Sequence, residues 1–92
     1  LKAVFGDHMP PVTANKSLFG HAMGASSAIE SIFTMEGMLK SRVTPTINYT
    51  PDPGLILDCV PEGARKLDQE FVLKNSFGFG GCNACIVFRK IA

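Results

Sequence analysis

In Asn15-Lys16-Ser17-Leu18-Phe19-Gly20-His21, a cation and an imidazole stand directly ahead of a small-residue run, Ala22-Met23-Gly24-Ala25-Ser26-Ser27, that leads into helix-forming sequence. A helix N-terminus already carries partial positive charge, so Lys16 and His21 beside it add nothing to helix stability. A positively biased cup at that end suits an anion or a developing oxyanion instead. Taken alone, His21 is equally a histidine satisfied by a backbone carbonyl, and Lys16 a solvated surface lysine. Glu30 follows on the small and polar side of the same helix, where a carboxylate would hold Lys16 or an ordered water. A second constellation is Asn75-Ser76-Phe77-Gly78-Phe79-Gly80-Gly81. Phe77 and Phe79 either fill a core or belong to a turn whose permissive glycines bring backbone or ring close to something else. These glycines do not make a dinucleotide loop: the third glycine of that pattern is missing, and a β-branched strand follows where a helix would be needed.

The elements that must position these residues are legible in outline. Ala28, Ile29, Ile32, Met35 and Leu39 recur at three- and four-residue steps, which predicts one long helix over roughly 21–41, with Ser27, Glu30, Ser31 and Thr34 on its other side. The small residues of its first turns let another backbone approach closely. Upstream, Lys2 to Pro11 reads as the end of a helix or strand followed by a loop, and Val12 to Ser17 as a short strand. The proline-rich segment from Val43 to Gly54 is an extended loop with turns. Phe71–Lys74 and Ala84–Phe88 read as an antiparallel pair joined by the glycine-rich turn, a C-terminal hairpin in a short mixed or antiparallel sheet.

Composition bounds the rest. Ninety-two residues with 46% hydrophobic content and a formal net charge of +1 allow one small domain with a modest core and no second domain. Lys and Arg are scattered, which argues against nucleic acid and against a polybasic membrane surface as partners. No run approaches the roughly 20 apolar residues of a membrane-spanning helix, and no secretory signal is visible. Cys59, Cys82 and Cys85 are an odd number, which points to free, buried thiols in a reducing compartment, the cytoplasm by default. Cys82 and Cys85 share the spacing of half a zinc knuckle, but a strand would send them to opposite faces and no second pair exists, so no metal is expected. The chain opens on Leu1 rather than Met, which suggests a fragment.

Three stretches carry a family resemblance. Asn15 to Phe33 resembles the Lys-x-x-x-Gly-His-x-x-Gly-Ala segment of the β-ketoacyl-acyl carrier protein synthases, with the closest likeness to the elongating, synthase II type. Pro45 to Pro53 resembles their Pro-Thr-(Ile/Leu)-Asn linker, and Leu73 to Phe88 their Asn-Ser-Phe-Gly-Phe-Gly-Gly-x-Asn-Ala signature. The resemblance implies an α/β, thiolase-like fold, of which residues 1–92 are the last part of the C-terminal half. It implies an acyltransferase of fatty acid synthesis that condenses malonyl-acyl carrier protein with an acyl-enzyme thioester.

By the same resemblance, His21 is the second histidine of a Cys-His-His set and donates to the malonyl thioester oxygen. Lys16 is the motif lysine, and Glu30 the glutamate that pairs with it. Phe79 gates the acyl chain, with Phe77 beside it. Gly78, Gly80 and Gly81 free the loop to move and lend backbone to an oxyanion hole. None of the three cysteines matches the nucleophile, and Cys82 stands where the family often has Thr, so the 92 residues alone are expected to be inactive. The implied partners are acyl carrier protein and a second copy in a homodimer. No cofactor is implied beyond the carrier's phosphopantetheine, and the location is the cytoplasm, or an organellar matrix in a eukaryote. The alternative is a non-catalytic thiolase-fold partner, like a chain-length factor, that kept the motifs for packing and dimerisation.

Overall fold

The computed structural model describes residues 1–91. They divide into two compact units, Leu1–Gly20 with Val43–Arg65, and His21–Arg42 with the segment from Lys66 onward. Arg42–Val43 (β1) and Arg65–Lys66 (β2) pair as a two-stranded sheet.

The first unit holds two single-turn helices, Lys2–Phe5 (α1) and Lys16–Phe19 (α2), and the proline-rich loop. Val12 to Ser17 is not a strand. Its polar groups bond to side chains and single carbonyls instead of a regular partner: Val12 N–H donates to Asp58 O at 2.8 Å, Thr13 Oγ1 to Thr44 O at 2.8 Å, and Ala14 N–H to Thr46 Oγ1 at 3.0 Å. Val43, Cys59 and Val60 are the buried apolar residues of this unit.

The second unit is a helix on a hairpin. Its helix, Ser26–Lys40 (α3), starts later than the periodicity predicts, after a 3-10 turn over Met23–Ala25. The small residues that let the chain pack closely also weaken helix propensity, and Met23 takes a left-handed φ of 51°, which no α-helix accommodates. At the other end Ser41 turns left-handed and its N–H closes on the Gly37 and Met38 carbonyls. Gly37 is required there, since a Cβ would stand 2.7 Å from the Arg42 carbonyl oxygen.

Phe71–Gly78 (β3) and Cys82–Arg89 (β4) form the antiparallel hairpin, in register from Phe71 opposite Arg89 to Gly78 opposite Cys82. The ladder runs further toward the tip than expected, leaving a three-residue loop of Phe79, Gly80 and Gly81. Gly80 and Gly81 both have left-handed φ, 78° and 82°, so they turn the chain without a side-chain penalty.

Which faces pack inside this unit reverses the simple reading of the helix. Buried Ser26 and Met38 and half-buried Ile29, Glu30, Thr34 and Gly37 form its covered side, while the apolar Ile32, Met35 and Leu39 are 57%, 43% and 70% exposed. The hairpin does the same: on β3 the inward residues are Val72, Lys74 and Ser76, and Phe71, Leu73 and Phe77 face out. Buried Lys74 spans from strand to helix, its Nζ donating to Ser27 Oγ at 3.1 Å and Ser76 Oγ at 2.8 Å.

Candidate active site

α2 carries Lys16 in the first unit, and its base is fixed from both sides. Thr44 Oγ1 donates to Asn15 Oδ1 at 2.6 Å. Ser17 Oγ donates to Ala14 O at 2.8 Å and accepts Ile47 N–H at 3.0 Å. The segment resembling the Pro-Thr-Ile-Asn linker therefore clamps the single turn that presents the lysine. Gly20, with φ at 80°, ends that turn, and its N–H donates to the Lys16 carbonyl. Lys16 and His21 accordingly do not share the first turn of one helix.

His21 opens the second unit, exposed and outside any helix. Its ring is held through one nitrogen. Met23 N–H donates to His21 Nδ1 at 2.9 Å, and Ser26 Oγ lies 3.2 Å from the same atom. An amide N–H can only donate, so Nδ1 is an acceptor, and in the neutral ring the proton sits on Nε2. That leaves Nε2–H as an outward hydrogen-bond donor. The left-handed Met23 is what allows its N–H to point back at the ring two residues earlier. Glu30 lies one turn after Ser26 on the covered side of α3, half-buried, with its carbonyl accepting Thr34 Oγ1 at 2.8 Å.

At the hairpin, Gly78 closes the ladder, Phe79 stands fully exposed at the tip and Phe77 is 78% exposed. Neither ring fills a core within this chain. Of the cysteines, Cys59 is buried beside Tyr49, whose phenol it pushes up. Cys82 and Cys85 are exposed rather than buried, because β4 has neither face covered. Among the described residues no three His, Cys, Asp or Glu side chains converge as metal ligands. No helix of the described residues is long and apolar enough to cross a membrane.

Ser26 leaves no mark as a site residue in the sequence, where it reads as one more small residue in a closely packed helix start; only the folded turn brings its hydroxyl to the imidazole.

Residues 1–50 match the family described as "Beta-ketoacyl synthase, C-terminal domain". The chain is 48% identical over 82 residues to the 3-oxoacyl-[acyl-carrier-protein] synthase 2 of Vibrio harveyi, covering 88% of this chain and 20% of that protein. It is 45% identical over 94 residues to the synthase 2 of Staphylococcus aureus strain COL, covering 98% of this chain and 22% of the relative. The chain thus spans about a fifth of the length of the curated relatives it matches. Among solved structures it is similar to a β-ketoacyl synthase from Burkholderia phymatum STM815, with a TM-score of 0.82 and 39% identity over 89% of this chain and 21% of that one. It is also similar to the AntDE:AntF assembly, described as a type II PKS acyl-carrier protein in complex with its ketosynthase bound to the hexaketide. That likeness has a TM-score of 0.92 and 40% identity, over 98% of this chain and 23% of the other. The α/β, thiolase-like architecture expected from the motifs is the one these neighbours share.

Proposed function

From a chain that belongs to the β-ketoacyl synthase family through its C-terminal domain, we propose the final portion of a 3-oxoacyl-acyl carrier protein synthase of the elongating type. The observation that carries this reading is the Met23 N–H on His21 Nδ1, which reserves Nε2–H for a substrate oxygen. In the proposed reaction, malonyl thioester loses its carboxylate as CO2 and the electron pair of the broken C–C bond passes into an enolate. The enolate carbon then attacks the carbonyl of an acyl group held as a cysteine thioester, and the cysteine leaves as thiolate. His21 Nε2–H donates to the thioester oxygen while enolate charge builds, when a preorganised donor contributes most.

Lys16 and Glu30 are proposed to pair and steady this histidine. Phe79, on a loop freed by Gly80 and Gly81, is proposed to gate the acyl chain, with Phe77 behind it and backbone N–H near Gly78 available to an oxyanion. The exposure of both rings supports a role toward something outside these residues. The nucleophilic cysteine belongs to the remaining length of such enzymes, so the 92 residues do not condense by themselves. The substrates arrive on the phosphopantetheine of acyl carrier protein, and the protein needs no cofactor of its own. It works as a homodimer in the cytoplasm.

His21→Ala in the full-length enzyme tests this. Loss of one such donor typically lowers kcat by about 10²–10³-fold. Malonyl decarboxylation and condensation should fall by at least that much while some acyl loading persists, followed by product assay and by the mass of the acyl-enzyme. Normal condensation by this variant would overturn the reading.

A further inference from the structure

We infer that Ser26 is a positioning residue that fixes the ring state and orientation of His21; the inference rests on His21 being the donor proposed above. Ser26 is 6% exposed, and its Oγ sits between two groups of the turn that precedes α3. It accepts the Ala22 N–H at 2.8 Å and lies 3.2 Å from His21 Nδ1. Ala22 N–H is a donor only, so it occupies a lone pair of Oγ and leaves the hydroxyl proton for Nδ1. The one lone pair of the imidazole nitrogen is then shared in a three-centre bond by Met23 N–H at 2.9 Å and Ser26 O–H at 3.2 Å.

The same hydroxyl also holds the turn. Met23 sits at φ 51°, a conformation that a non-glycine residue keeps only when its surroundings over-determine it. The Ala22–Ser26 bond closes the chain around Met23 and so aims the amide that marks Nδ1 as acceptor. Replacing Oγ by hydrogen removes a donor from the ring and leaves a backbone N–H without its partner, loosening both constraints at once. The ring then samples the tautomer with Nε2 bare, which cannot donate to a substrate oxygen.

The experiment uses the full-length enzyme labelled with ¹⁵N-histidine, in wild-type, Ser26→Ala, Ser26→Thr and Ser26→Cys forms, with His21→Ala identifying the His21 signals. In wild type the ¹⁵N shifts should report a single Nε2–H tautomer. Ser26→Ala should show mixed tautomers and a kcat for malonyl condensation lower by about three- to tenfold, the worth of one ordinary hydrogen bond, with KM nearly unchanged. Ser26→Thr, which keeps the hydroxyl, should restore both readouts. Where Ser26→Ala does not fold, Ser26→Cys takes its place, since a thiol of similar size is a poor donor. A wild-type tautomer in the Ala or Cys variant, or a loss of kcat that Thr does not recover, overturns the inference. A His21→Ala enzyme that condenses normally would instead overturn the reading of the site beneath it, so the two failures are distinguishable.

Discussion

At the scale of single residues, charge placement decides more than charge number. Arg65 is the clearest case: its Nη2 donates to Asp58 Oδ1 at 2.9 Å and its Nε to Glu62 Oε1 at 2.6 Å. The guanidinium holds both carboxyl groups below the usual carboxylate range, chiefly by these hydrogen bonds. A carboxylate whose folded pKa is depressed contributes its stabilisation above its unfolded value and loses it as pH falls through the folded one. Thermal stability of the full-length protein should therefore fall with acid from about pH 4 downward. Arg65→Ala should flatten that acid limb by lowering stability slightly near neutrality and leaving the acid end unchanged, a small effect because such solvent-facing pairs contribute little. Melting temperatures taken across the acid range check this, and an unchanged limb in the variant would remove Arg65 from the account. The Arg65 contacts depend on a turn that charge spacing alone does not reveal.

At the scale of elements, the hairpin was the most legible part and the helix start the least. β-branched and aromatic residues on both sides of a glycine pair specify strand, turn, strand, and the ladder exceeds the expected one only because Asn75 to Gly78 stay paired with Cys82 to Cys85. The helix is legible from its period, but where it begins is set by a left-handed Met23 and a serine side-chain bond, neither of which leaves a periodic trace. For the same reason His21 was expected within a helix and stands ahead of one. The loop offers a clean test of element against function. Gly81 has φ 82° and open space where a Cβ would go, so Gly81→Ala should cost about 1–2 kcal/mol from backbone conformation alone. Phe79→Ala, removing a fully exposed ring, should leave the melting temperature of the full-length enzyme nearly unchanged while altering its acyl chain-length profile. Paired melting and product analysis separate the two, and a large fall in stability for Phe79→Ala would place its ring in a core.

At the scale of the whole molecule, many apolar residues of the second unit lie uncovered although a few others are buried. Ile32, Met35 and Leu39 on the helix, and Phe71, Leu73, Phe77, Ile86 and Val87 on the hairpin, are all exposed in this chain. Apolar exposure on this scale marks surfaces suited to being covered. The periodicity identified the helix but not which side is covered, because an apolar stripe at helical spacing does not say what packs against it; the chain spans about a fifth of the length of its curated relatives. Expressed alone, the chain should bind a hydrophobic dye such as ANS and melt broadly; a sharp, cooperative melt of a monomer would contradict this. The resemblance to the synthases, by contrast, was legible at once, since short runs around Lys16, His21 and Phe79 carry it independently of packing.

Lys74 has a consequence for how such a sequence can change over generations. Its buried nitrogen leans on Ser27, 47 positions earlier, and on Ser76, two positions later. Losing either serine first leaves a buried donor short of an acceptor, whereas replacing the lysine by an apolar residue first sets both serines free to vary. The three positions are therefore expected to change together in a preferred order, a lineage that keeps the lysine keeping both hydroxyls with it.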